Sequence, residues 1–187
     1  MGADYWLNPL NFLIVTAFRL VILALLLRLL LQWANADYYN PISQFLVRFT
    51  EPMLRPLRVL LPSSRRIDAP ALLLMFVLQV LMYVSVMLLR GQAIPLEWLL
   101  PASLAELLVL ASLLFTITIF IQIIVSWINP GAHHPGLSLL YQLNAPLLAP
   151  ARRLLPATSG IDLSPLLVLI GLVIIRMLAY PLTLPVL

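Results

Sequence analysis

Three ionisable side chains stand inside runs otherwise dominated by Leu, Ile, Val and Phe: Arg19, Glu106 and Arg176. A charge at such depth in an apolar segment is expensive, so it pairs with another charge or faces a polar cavity. Glu106 is expected to pair with Arg19 or with Arg176, either as a structural clasp or as an element of a transport path. A second set of charges occurs twice. Arg55 and Arg58 lie in FTEPMLRPLRVLLP (49–62), and Arg152 and Arg153 lie in LNAPLLAPARRLLP (143–156). These four arginines are candidates for binding anionic lipid headgroups or a partner surface. Asp68 and Asp162 each precede a long apolar run that has proline in its first turn. They suit helix capping, or contact with a cation, or pairing with Arg58 and Arg152.

Other chemistry is poorly represented. The chain has no cysteine, which excludes disulfides, thiol catalysis and cysteine metal sites. His133 and His134 are the only histidines; they are adjacent in NPGAHHPG with no carboxylate nearby, so no metal site is expected. No glycine-rich phosphate loop, paired-carboxylate motif or potassium-filter sequence is present. Neither an enzyme nor a cofactor is expected.

The elements that must position these charges are membrane helices. The 187 residues are 63% hydrophobic and 10% charged, with a mean hydropathy of +1.05, against about 25% charged in soluble domains. The fold class expected is an all-α membrane protein. A span needs about 20 mostly apolar residues, and the runs at about 11–33, 70–89, 101–127 and 165–180 qualify. A short link at 91–100 joins the middle two, with Trp98 suited to the interface. The N-terminal MGADYWLNPLNF lacks a basic region and a cleavage site, so the first apolar run is expected to stay as an anchor. The net charge of +4 comes from scattered arginines, which argues for a membrane-surface partner rather than nucleic acid.

The chain repeats itself. At an offset of 94, residues 33–68 overlay residues 127–162 without gaps, and 13 of the 36 pairs are identical, including four prolines. Each repeat (1–90 and 101–187) holds two spans, so both run the same way, as parallel-duplicated helical hairpins. The long connections carry most of the arginines, whereas Arg90, Asp4 and Glu97 stand on the other side. The positive-inside bias places both long loops in the cytoplasm and both termini outside.

Each connection is expected to hold a short interfacial segment, at about 41–62 and 135–156, with leucines in the acyl boundary and arginines among the headgroups. On a wheel, Met53, Leu54, Leu57, Leu60 and Leu61 oppose Arg55 and Arg58. Leu147, Leu148, Ala151, Leu154 and Leu155 likewise oppose Arg152 and Arg153. Thr50 and Asn144 would be N-caps, with Pro52 and Pro146 in the first turn. Pro56 and Pro150 would keep the helices short or kinked, and Pro62 and Pro156 would stop them. Arg28 is expected to snorkel to the cytoplasmic interface. Its repeat counterpart, Gln122, lies in a stripe with Thr118 and Ser126 suited to gluing helices.

The pattern RLLLQW…P…FTEPMLRPLRVLLP…IDAP, repeated as IQIIVSW…P…LNAPLLAPARRLLP…IDLSP, resembles two copies of the YggT repeat, related to YlmG-type proteins. That resemblance implies a role in potassium uptake and osmotic-shock tolerance, as an accessory or small oligomeric transport component. Plastid and Gram-positive relatives imply an alternative, a scaffold for cytochrome assembly or cell division that binds anionic lipid or a partner complex. Potassium ion, the bilayer and a homo-oligomer or larger membrane complex are the partners this implies. The second copy departs from the first in having Ala145, Ala149 and Gly160 where the first has Glu51, Arg55 and Arg66.

Overall fold

Long apolar runs leave a chain in lipid no choice but helix, because every backbone N–H and C=O must be satisfied within its own segment. The computed structural model of the protein describes residues 4–61, 68–129, 134–154 and 162–184. They form six α-helices and a terminal 3-10 turn: α1 Asp4–Trp33, α2 Pro41–Leu60, α3 Ala69–Leu89, α4 Leu96–Ile128, α5 Pro135–Leu154, α6 Ser164–Ala179, then Tyr180–Leu182. Four stretches are long and apolar enough to cross a membrane: Leu7–Trp33, Ala69–Leu89, Leu96–Ile128 and Ser164–Leu182. The chain is therefore an all-helical membrane protein.

Helix ends follow local chemistry. After α1, Asn35 adopts a positive φ of 51°, and the bonds Ala36 N–H to Leu31 O and Asn35 N–H to Gln32 O close a Schellman turn. Gly91 closes α3 in the same way, with φ 64° and Gln92 N–H bonded to Met87 O. Pro9 and Pro101, expected to precede or open spans, lie inside α1 and α4. The 33 residues of α4 make it about 50 Å long, more than the hydrocarbon core and headgroups together.

Within each repeat the two spans pack on each other, α1 against α3 and α4 against α6, and α3 packs on α4 to join the halves. One core cluster gathers Leu25, Leu54, Met75, Ile119, Leu143 and Leu172 from all six helices, at the Trp33/Trp127 end. A second, with Val15, Met82, Tyr83 and Leu99, fills the end near Gly91.

The connections differ from expectation. Helix α2 starts nine residues before Thr50, at Pro41, and Asn40 is its N-cap, accepting from Ile42 N–H. Thr50 and Asn144 are mid-helix and are not caps, and Pro52, Pro56, Pro146 and Pro150 lie inside continuous 20-residue helices. The physical reason is the spacing of four. Pro52 and Pro56 share one exposed face of α2, so the carbonyls they leave without an N–H partner, those of Arg48 and Pro52, open outward. In α5 Pro146 is half-buried and Pro150 exposed. Pro62, Pro156, Arg65, Arg66, Leu155, Gly160 and His133 lie outside the described residues.

Candidate functional site

Helix α2 divides into three faces. Leu46, Thr50 and Leu54 are buried against the spans, Arg48 and Arg55 are exposed, and Ile42, Phe45, Phe49 and Met53 form an outward apolar stripe. Phe45 and Phe49 are 64% and 44% exposed and stack with ring centroids 6.2 Å apart. The leucine arc expected from the wheel is thus split, with Leu54 packed inward and Met53 facing out.

The inward face meets a charge cluster. Arg28, expected to snorkel, is instead only 8% exposed, because α2 folds back over the end of α1. Its Nη1 donates to Thr50 Oγ1 at 2.7 Å and its Nη2 to Glu51 Oε2 at 2.9 Å. Its Nε stands 3.7 Å from Asp68 Oδ2. Arg58 completes the square, donating to Glu51 Oε1 at 3.0 Å and to Asp68 Oδ2 at 3.3 Å. Two guanidinium groups and two carboxylates thereby neutralise one another, the arrangement that makes buried charge tolerable. Asp68, 1% exposed, also caps α3 by accepting from Ala71 N–H. Beside this square lies a cleft of about 750 Å³ lined by Arg28, Gln32, Ser43, Glu51 and Arg58 among others.

The second repeat builds the same place from different atoms. Gln122 replaces Arg28, Asn144 replaces Thr50 and Ala145 replaces Glu51. Asn144 Nδ2 donates to Gln122 Oε1 at 2.8 Å, and Thr118 Oγ1 donates to Asn144 Oδ1 at 2.9 Å. A neutral amide network thus stands where the first half has ions. Among the described residues Ser126 bonds only its own helix, at Ile123 O. Arg152 Nε donates to Asp162 Oδ2 at 3.0 Å, the counterpart of Arg58 to Asp68. Hydrogen bonds from Ser164, and then Arg152, hold the Asp162 carboxyl below the usual carboxylate range. Arg55 and Arg153 are exposed.

The two connecting helices are also tied to each other. Asn40 Nδ2 donates to Pro135 O at 2.8 Å, and Asp37 N–H donates to Gln142 Oε1 at 2.7 Å. His134 accepts from Gly136 N–H at Nδ1, the capping role that Asn40 plays in the first repeat.

Deeper in the bundle, Arg19 Nη2 lies 2.9 Å from Glu106 Oε1, joining α1 to α4. Arg176 makes no ion pair among the described residues. No cluster of metal-ligating side chains occurs among them either.

The duplicated geometry has a counterpart in known sequences, since the CCB3/YggT family model matches the chain twice, at residues 7–89 and 101–183. The chain belongs to the CCB3/YggT family. The uncharacterized protein YggT of Escherichia coli strain K12 is 39% identical over 171 residues, 91% of this chain and 89% of the relative. An uncharacterized protein in the proC 3' region of Vibrio alginolyticus is 39% identical over 89% of this chain and 90% of its own. One from Pseudomonas aeruginosa is 38% identical, over 89% and 86%. No solved structure matches the chain.

The sequence pointed to Asp68 and Asp162 and to the repeated arginines, but it missed Glu51, Thr50 and Asn144 as network members. The signal that could have found them was the linked replacement of Arg28, Thr50 and Glu51 by Gln122, Asn144 and Ala145: removal of one buried charge requires removal of its partner.

Proposed function

We propose that the chain is a non-enzymatic membrane scaffold that supports potassium balance and osmotic-shock tolerance without conducting ions itself. The observation that carries this reading is helix α2. It is a rigid surface helix, fixed from behind by the Arg28–Glu51–Arg58–Asp68 square, and its Ile42/Phe45/Phe49/Met53 stripe faces out. An apolar stripe on a helix flanked by Arg48 and Arg55 suits the headgroup boundary, with the rings in the acyl region and the arginines among phosphates. In this reading α2 and α5 form one platform on the cytoplasmic face of a bacterial inner membrane, with both termini periplasmic. The platform presents lipid or a partner complex to an ion system. The Arg19–Glu106 pair supports the same reading, because these two intramembrane charges satisfy each other.

The test uses cells lacking the gene, complemented with variants and scored for survival and potassium content after osmotic shock. Phe45→Ser with Phe49→Ser should abolish rescue while the protein remains inserted at wild-type level. Arg19→Leu with Glu106→Leu should preserve rescue. The opposite pattern would move the function to the charge pair, and the lack of any osmotic defect in the deletion strain would remove ion balance from the proposal.

A further inference from the structure

The duplication supplies its own control for a binding site. In the first repeat Arg58 has two carboxylate partners, Glu51 and Asp68. In the second, Ala145 stands where Glu51 would be, and Arg152 has one, Asp162. Among the described residues Arg152 donates through Nε alone, so both terminal nitrogens of its guanidinium are left for another acceptor. Arg152 lines a groove of about 870 Å³ between α4, α5 and α6. Four positions of this groove, Gln122, Ser126, Tyr141 and Arg152, correspond at the repeat offset to Arg28, Gln32, Val47 and Arg58 of the first cleft.

The groove has a graded lining. Towards the ends of α4 and α6 on the arginine-rich side are Ser126, Trp127, Arg152 and Asp162. One to two turns deeper the walls are Ile119, Ile123, Leu166 and Leu169, with Gln122 the one polar residue at that depth, its Oε1 accepting from Asn144 Nδ2. A polar mouth at the helix ends and an apolar floor within the spans match a molecule with a charged head and a hydrocarbon tail, aligned as lipids are. Asp162 also faces the groove, but its oxygens are engaged by Arg152 and Ser164 N–H. Arg153, next in sequence on the same helix, is exposed and adds a second positive charge outside the lining itself.

We propose that this groove is a specific site for one anionic phospholipid. The phosphodiester accepts from the terminal nitrogens of Arg152, in the place that the first repeat gives to the Glu51 carboxylate, because a guanidinium fork fits two phosphate oxygens. The acyl chain runs along Ile119, Ile123, Leu166 and Leu169, and Trp127 and Tyr141 flank the glycerol level, where amphipathic rings sit. The first cleft carries its own anion and does not take the lipid. The site rests on the scaffold reading only in placing this face at headgroup level.

Native mass spectrometry of the full chain in mild detergent, with phosphatidylglycerol added at equal concentration, tests the site. Wild type should retain one phosphatidylglycerol. Arg152→Gln and Leu166→Trp, the second filling the groove without changing charge, should each lower retention about tenfold, and Arg152→Lys should lower it less. A variant counts only if its thermal melt matches wild type. Undiminished retention in both variants would overturn the site. So would equal retention of phosphatidylcholine, and displacement by inorganic phosphate would reassign it to a free anion. Phe45→Ser with Phe49→Ser should leave retention unchanged, so failure of the scaffold and failure of the lipid site are read separately.

Discussion

A buried guanidinium survives only where acceptors surround it, and Arg28 shows how far away those acceptors can be in sequence. Glu51 and Asp68 reach it only because α2 folds back over the end of α1. Sequence alone placed Arg28 near a helix end and water, so the snorkelling expectation followed from sound chemistry and the wrong neighbourhood. Glu106 was legible for the opposite reason: in lipid its partner had to be one of two arginines, and Arg19 is the one within reach. Glu106→Gln, which strands Arg19, should lower stability by about 2.5–3.5 kcal/mol, the translocon-scale cost of an unpaired charge at the helix centre. Arg19→Leu with Glu106→Leu should recover most of that loss in an unfolding titration. Glu51→Ala leaves the more deeply buried Arg28 and Arg58 sharing the single carboxylate of Asp68 and should cost about 3–5 kcal/mol by the same measurement. Asp162 sets an acid limit. Its folded pKa is lowered, so its contribution is present above the unfolded value of about 3.9 and is lost as pH falls through the folded value. Melting temperature should therefore carry an acid limb below about pH 4 that Asp162→Asn makes shallower.

At the scale of elements, the spans were readable because a run of about 20 apolar residues has few alternatives, and α2 and α5 fall within the expected segments, but their continuity as single helices was not readable. Proline reads as a breaker, and two prolines in five residues read as two breaks. Their common outward face makes one helix possible, and the packing of Leu46, Leu54 and the charge square behind it holds that helix together. Spin labels at Gln44 and Val59 should give a single backbone separation of about 22 Å, the rise of fifteen helical residues. A broad or markedly shorter distribution would mean a break at the prolines. The two repeats also make their networks interchangeable in principle. Arg28→Gln with Thr50→Asn and Glu51→Ala writes the second repeat's neutral network into the first. By unfolding titration this triple variant should be more stable than Glu51→Ala alone, since no charge is left stranded.

The whole molecule is less symmetric than its sequence. Both halves keep the arginine-to-aspartate bond between connecting helix and following span, but the first half neutralises its charges internally and the second leaves a guanidinium partly open. Leu139 and Leu143 of α5 are buried, whereas their counterparts Phe45 and Phe49 of α2 are exposed. The duplication itself was plain from matched prolines, but which copy presents an apolar face depends on how the halves pack, and no local pattern encodes that. The natural absence of cysteine makes the proposed orientation easy to check. Gln44→Cys and Ser138→Cys should react with a membrane-impermeant thiol reagent from the cytoplasmic side only, and Gln92→Cys from the periplasmic side only. The most direct measurement is potassium flux into proteoliposomes containing the purified, correctly inserted protein alone, beside empty vesicles and the Glu106→Gln variant. A scaffold that supports ion balance without conducting should give the flux of empty vesicles in both preparations. Flux above that background, altered by Glu106→Gln, would contradict it and make the chain a channel or carrier built around Arg19 and Glu106.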